Sequence, residues 1–273
     1  MSELTGKKIA LLEARMSSEL ANLVKRHGGE PINAPALREV AIDATDEVET
    51  FLNYLESGEI KFVVFQTGVA VVGLITEAEK LERKAELLNA LQKITTICRG
   101  PKPTAVLSRN GIKPTLNASE PYTTTDLISV MSDLDLQNQG VAVLHYGERN
   151  AELAKSLEAR GAKLLELCLY EWQLPENLEP LKKLIDDLHH GKIDAVAFTS
   201  QIQARHLFQV AKDLGRDTEL LDSLNHKTVV ASIGPTCTAA LLQLGVTPKI
   251  EPEHPKMGPM VIALVNHLGE APM

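Results

Sequence analysis

Short, wholly apolar runs alternate with amphipathic stretches along the chain. Ile9 to Leu12 and Val141 to Leu144 are continuous and aliphatic, the pattern of a strand buried on both faces. Each is followed by a polar turn and then by apolar residues at helical spacing. These are Leu20, Leu23 and Val24 in one case and Leu153, Ala154 and Leu157 in the other. Gly28 and Gly161 stand where those helices must stop. Further strands are predicted around Ile32 and from Leu164 to Tyr170. Phe62 to Phe65 and Ala195 to Phe198 read as strands that each follow a helix. The second of these helices carries Leu181, Leu184, Ile185 and Leu188 on one face. Strands alternating with helices predict parallel, doubly wound sheets.

The pattern occurs twice. KKIALLEARMSSELANLVKRHGG resembles QGVAVLHYGERNAELAKSLEARG, and SGEIKFVVFQTGVAVVGL resembles HGKIDAVAFTSQIQARHL. CRGPKPTAVLSRNGIKPT resembles SIGPTCTAALLQLGVTPK. Gly58 and Gly191, and likewise Thr67 and Ser200, lie 133 residues apart. Gly100 and Gly234, Gly111 and Gly245, and Pro121 and Pro255 lie 134 apart. Three blocks in one order at nearly one offset predict two copies of a single α/β unit.

In such folds ligands bind beyond the carboxyl ends of the strands. The strand-to-helix turns there are Ala14-Arg15-Met16-Ser17, Gln66-Thr67-Gly68, Arg99-Gly100-Pro101-Lys102, Tyr146-Gly147-Glu148-Arg149, Thr199-Ser200-Gln201 and Gly234-Pro235-Thr236. Each opens a helix, whose free N–H groups and positive dipole end favour carboxylates or phosphates. The same Ser, Thr and Gly residues also serve as plain N-caps and turn formers. Arg15, Lys102 and Arg149 read equally well as solvated surface charges. Tyr170 closes a predicted strand and precedes Glu171-Trp172-Gln173, where a phenol can donate a proton or simply fill a hinge.

Composition narrows the function. Aromatics make up only 4% of 273 residues, so the cores are aliphatic, and the length suits one large or two medium domains. A net charge of −8 argues against a nucleic-acid partner, which needs a basic face. Cys98, Cys168 and Cys237 have no C-x-x-C spacing, so neither a disulfide framework nor a zinc site is indicated. Cys237, just inside a helix start, reads as a buried small hydrophobe or a mildly activated thiol. The N-terminal apolar run is too short for a signal peptide and no segment reaches membrane-spanning length, which predicts a cytoplasmic protein with no membrane partner. G-x-G-x-x-G, a phosphate loop, H-E-x-x-H and G-x-S-x-G are all missing, so no nucleotide cofactor or metal is expected. His189-His190 falls at a predicted helix end, where a cation suits the dipole.

The stretches IALLEAR with GGEPINAPAL, VVFQTGVAVV, CRGPKPTAVLSRNGIKP, VAVLHYGERNAELAKSLEARG, LLELCLYEW, AVAFTSQIQARHL and SIGPTCTAALLQLGV resemble, in order and spacing, the uroporphyrinogen-III synthase family along nearly the whole chain. The resemblance implies two flavodoxin-like parallel-sheet domains joined by a two-stranded connector, with a ligand cleft between them. Residues 1–37 with 173–273 would form one domain, 42–168 the other, and 38–41 with 169–172 the connector. It implies that hydroxymethylbilane, a linear tetrapyrrole, is cyclised with ring D inverted through a spiro intermediate, without metal or organic cofactor. Tyr170 would be the general acid. Thr67, Gly68, Gly100, Tyr146, Gly147, Ser200, Gln201, Gly234, Pro235 and Thr236 would bind substrate, with Arg15, Lys102 and Arg149 as charge partners. A monomer in transient contact with the preceding pathway enzyme is implied as well.

Other readings are a non-catalytic tetrapyrrole- or polyanion-binding protein on the same fold, a solute-binding protein and a receiver-like signalling module. The missing signal peptide disfavours the solute-binding protein. A receiver needs an acidic cluster after the first strand and an Asp ending the third. Here Glu13 stands alone and Gln66-Thr67 occupies the strand end.

Overall fold

The computed structural model describes residues 4–269. The chain divides into two compact units, Met1–Arg38 with Gln173–Met273, and Glu39–Trp172. The first unit opens with β1 (Lys8–Leu11), α1 (Ser17–Arg26) and β2 (Glu30–Asn33), and β3 (Arg38–Ala41) leads out of it. The second unit contains α2 (Thr45–Glu56), β4 (Ile60–Phe65), α3 (Gly68–Lys80), α4 (Lys84–Leu91), β5 (Thr95–Cys98), α5 (Pro101–Arg109) and β6 (Leu116–Asn117). It continues through α6 (Thr124–Val130), β7 (Gly140–Leu144), α7 (Ala151–Ala159) and β8 (Lys163–Leu167) to β9 (Tyr170–Gln173). The chain then returns to the first unit through α8 (Glu179–His189), β10 (Ala195–Phe198), α9 (Gln201–Asp213), α10 (Asp217–His226), β11 (Val229–Ser232), α11 (Pro235–Gln243) and α12 (Met257–Gly269).

The first unit's sheet has the order β11-β10-β1-β2 and the second's β6-β5-β4-β7-β8, with parallel pairing throughout. When strands are matched by the offset of the sequence repeat, β10 answers to β4, β11 to β5, β1 to β7 and β2 to β8. The two orders then coincide. A parallel bridge from Ala231 to Ile250 stands where β6 stands beside β5. Each sheet therefore draws its two central strands from different halves of the chain. β3 and β9 pair in a separate two-stranded sheet that holds both passages of the chain.

The apolar runs are explained by helices on both faces. Ala10 and Leu12 pack into one core cluster with Val196 and Phe198, while Ile9 and Leu11 pack into another with Ala195 and Ala197. In the second unit Val63, Phe65, Ala142 and Leu144 face one cluster, and Val64, Val141 and Val143 the other. This is the period of two of a strand with no solvent side. α8 buries Leu181, Leu184, Ile185 and Leu188, each stabilising by about 1.5–3 kcal/mol. Gly28 and Gly161 stop α1 and α7 with φ of 82° and 79°.

One predicted strand is not continuous. The run Leu164 to Tyr170 divides at Cys168-Leu169, so Tyr170 begins β9 and does not end β8. The reason is a change of hydrogen-bonding partner. The Leu167 carbonyl accepts from His145 N–H beside β7, whereas the Leu169 carbonyl accepts from Ile42 N–H beside β3.

Gly140 opens β7 against β4, where the register shifts between Ile60 and Phe62. A Cβ at this position would lie 2.2 Å from the Glu59 carbonyl oxygen. Gly140→Ala must therefore part the two central strands, at a cost of about 1–3 kcal/mol or more. The urea midpoint should fall with the slope unchanged; an unmoved midpoint would refute this account of the strand entry.

Candidate functional site

In the second unit β4 lies between β5 and β7, so the residues just past these three strands are forced together. The Arg99 N–H donates to Phe65 O at 3.0 Å and the Gln66 N–H to Leu144 O, which aligns the three exits. Gln66 and Thr67 leave the middle strand, Arg99 and Gly100 leave one neighbour, and His145, Tyr146 and Gly147 leave the other.

Thr67 is the N-cap of α3, and its hydroxyl accepts from the Ala70 N–H at 3.1 Å. The same oxygen lies 3.0 Å from the Tyr170 hydroxyl, both groups being buried. The pair carries two hydroxyl protons, and the bond between them uses one. Whichever group donates, one proton is left for another acceptor. Burial pushes the Tyr170 phenol well above its ordinary pKa, the Thr67 hydrogen bond and the Arg99 charge oppose that rise, and the group stays protonated.

Alternation along β9 places Trp172 on the same face as Tyr170, with the rings 6.3 Å apart. Tyr146 meets Trp172 edge-on at 4.3 Å, and the Arg99 guanidinium lies over the Tyr146 ring, 4.4 Å from its centre. Gly147 makes this packing possible. Its φ is +67°, and a Cβ there would stand 2.6 Å from the Trp172 ring. Gly68 lets α3 and α5 start side by side, since its Cβ would meet the Lys102 carbonyl oxygen at 3.1 Å. Gly100 caps α5 beneath the Tyr122 ring.

Behind Thr67 lies a polar network around His145, which is buried. The Asn150 N–H donates to His145 Nδ1 at 3.1 Å, and the Gln66 amide nitrogen is 3.2 Å from the same atom. Nδ1 is thus the acceptor, and Nε2–H donates to Glu166 at 2.9 Å. Asn150 also donates to Gln66 and to Thr124, and caps α7 through Leu153 N–H. Arg149 is exposed and donates its Nε–H to both Glu166 oxygens, so its charge is already balanced within the unit.

The first unit repeats this geometry with other groups. Glu13 occupies the place past β1 that His145 holds past β7. One Glu13 oxygen accepts from the N–H groups of Arg15 and Met16, and the other from the Thr199 hydroxyl and, at 3.4 Å, from Gln203. The Arg15 amide is therefore occupied, while its side chain is exposed. Ser200 is the N-cap of α9 yet makes no cap bond, and its buried hydroxyl oxygen has no hydrogen-bond partner. The N-cap reading thus holds for Thr67 and fails for its counterpart. Gln201 opens α9. Gly234 caps α11, where a Cβ would stand 2.8 Å from Pro255, and Pro235 and Thr236 form the first turn with Thr236 exposed. Burial pushes the Cys237 thiol up to about 11, so its helix start does not activate it.

Of the residues singled out in the sequence, Thr67, Gly68, Gly100, Lys102, Tyr146, Gly147 and Tyr170 share the second unit's strand exits, with the Lys102 side chain exposed. Ser200, Gln201, Gly234, Pro235 and Thr236 lie at the exits of the first unit. Arg99, Trp172, His145 and Glu13 were passed over. Arg99 stood inside a named turn, Trp172 sits two residues past Tyr170 on a strand, and Glu13 and His145 occupy matched positions after matched strands. Among the described residues no group of three or more His, Cys, Asp or Glu is placed to hold a metal ion, and no helix is long and apolar enough to cross a membrane.

Fold and exits define a class: a two-unit, doubly wound α/β protein whose polar groups gather at the carboxyl ends of its strands. A family model described as uroporphyrinogen-III synthase HemD matches residues 18–262. The protein YjjA of Bacillus subtilis (strain 168), described as uncharacterized, is 31% identical over 98% of both chains. A protein of Methanothermobacter thermautotrophicus with a provisional uroporphyrinogen-III synthase name is 29% identical, over 93% of this chain and 95% of its own. The crystal structure of a mutant uroporphyrinogen III synthase from the extreme thermophile Thermus thermophilus superimposes with a TM-score of 0.76 at 25% identity, covering 96% of this chain and 99% of that one. The chain belongs to the uroporphyrinogen-III synthase family.

The His145 network has a pH signature. Burial pushes the imidazole below its ordinary pKa, and Glu166 opposes this only in part. The native state therefore favours the neutral ring. Its contribution is complete above the unfolded value of about 6.5 and is lost as pH falls through the lowered native value. Between about pH 7 and pH 5 the wild type should lose denaturant stability more steeply than His145→Gln. Equal slopes would show that His145 is not the group that titrates.

Proposed function

We propose that the protein is a uroporphyrinogen-III synthase, which takes hydroxymethylbilane, removes its hydroxyl group as water and closes the macrocycle with ring D inverted through a spiro intermediate. The observation that carries this reading is the buried Thr67–Tyr170 hydroxyl pair with its one spare proton. The departing hydroxide is the conjugate base of water, whose pKa is about 15.7. A phenol held protonated by burial remains a stronger acid than water, so it can protonate hydroxide as the carbon–oxygen bond breaks. The electron pair of that bond leaves with the oxygen, and the electron-rich pyrrole stabilises the cation that remains.

The larger demand is geometric, because unguided closure gives the unrearranged ring. Selecting the spiro path means holding ring D against the cation, a positioning task. The substrate's carboxylates need donors, and backbone N–H groups at the starts of α3 and α5, in the same unit as Tyr170, offer them without a net positive surface. That agrees with a net charge of −8.

The test generates hydroxymethylbilane in situ, adds purified protein and separates the oxidised products by isomer. Isomer III should increase in proportion to protein. Isomer I alone, from a folded protein, would overturn the enzymatic reading. Tyr170→Phe keeps the ring and deletes the proton, so kcat should drop by roughly 100-fold or more while KM changes little. A variant with full turnover would remove Tyr170 from the mechanism.

A further inference from the structure

Arg99 differs from Arg83, Arg160 and Arg216, three arginines that are half-buried as well. Arg83 places its donors on Glu86 and Asn53, Arg216 donates to Glu219 at 2.8 Å, and one Arg160 nitrogen donates to the carbonyls of Met131, Ser132 and Leu134. Arg99 falls in the same half-buried range, yet among the described residues no carboxylate, amide or carbonyl accepts from its guanidinium. Among those residues its guanidinium rests on the Tyr146 ring, at 4.4 Å. A guanidinium on an aromatic ring spends its flat face, while its five N–H bonds lie in the plane and point outward from the edge. The ring therefore holds the charge in place without consuming a donor.

The setting fits an incoming anion. Arg99 lies past the carboxyl end of β5, and its charge is near enough to Tyr170 to act on the phenol. Trp172 packs Tyr146 edge-on and rests against Gly147, where no side chain could be accommodated. The Arg99–Tyr146–Trp172 stack is thus a fixed mount for one guanidinium edge. Of the two cations that the sequence suggested for this end of the unit, Lys102 is exposed and Arg149 is already paired with Glu166.

We propose that Arg99, mounted on Tyr146 and Trp172, is a carboxylate receptor that grips one acidic side chain of the tetrapyrrole through two parallel N–H···O bonds. This deepens the synthase reading and rests on it for the identity of the ligand, though not for the presence of an anion site. Two-pronged recognition distinguishes a carboxylate from a neutral substituent and fixes the orientation of the pyrrole that bears it.

The chain contains one tryptophan, so Trp172 emission reports on the stack alone. The probe is uroporphyrin III, a stable eight-carboxylate macrocycle, titrated against the full chain while that emission is followed. Wild type should bind with quenching. Arg99→Met should raise Kd about 10- to 100-fold, the worth of one charge-assisted contact. Arg99→Lys should recover only part, since an ammonium cannot reproduce the fork. Far-ultraviolet circular dichroism of each variant establishes that it is folded. Full recovery by lysine overturns the bidentate contact, and equal Kd values for wild type and a folded Arg99→Met overturn the receptor, as does a folded wild type that does not bind. The synthase reading fails separately: isomer I alone, with Arg99-dependent binding retained, would sink the reaction and leave the anion site standing.

Discussion

Burial of the central strands on both faces is the constraint from which the rest of the structure follows. β1 and β10 in one unit, and β4 and β7 in the other, have helices above and below, so past the entry lysines Lys8 and Lys61 no polar side chain can be placed within them without desolvation. The chemistry is displaced to the strand ends. Within each sheet parallel pairing then brings these ends to one edge, and in the second unit Gln66, Thr67, Arg99, His145 and Tyr146 meet there although they come from distant parts of the sequence.

The two edges use the same backbone differently. Thr67 and Ser200 are matched N-caps with nearly the same extended conformation, yet Thr67 closes its helix and meets Tyr170, while the Ser200 hydroxyl is left without a partner. A neutral imidazole stands behind one edge and a carboxylate behind the other. Repetition supplies the scaffold, and a few side chains set what each copy can bind.

Much of the scaffold was legible because period-two burial and helical spacing are local signals. Ile9 to Leu12, Val141 to Leu144 and the Leu181–Leu188 face could be read directly, and the matched glycines gave the helix ends. The break at Cys168-Leu169 was not legible, since it depends on a change of partner from β7 to β3 that no local pattern records. The site was half legible for the same reason. Turn chemistry pointed to Thr67, Gly100 and Tyr146, but the pairing of Arg149 with Glu166, the unspent edge of Arg99 and the closure of Arg15's turn by Glu13 depend on contacts between separate turns.

The exchange of central strands also orders the birth of the molecule. The second unit is one contiguous stretch, Glu39–Trp172, and its sheet can close before the remaining chain has left the ribosome. The first unit has no such freedom. β1 is made before the whole of the second unit, but its partner β10 follows more than 180 residues later, and the Lys8 N–H waits equally long for the Asp194 carboxylate. Throughout that interval the most apolar strand of the amino-terminal segment has one unpaired edge, a hazard that falls to the cell's folding machinery.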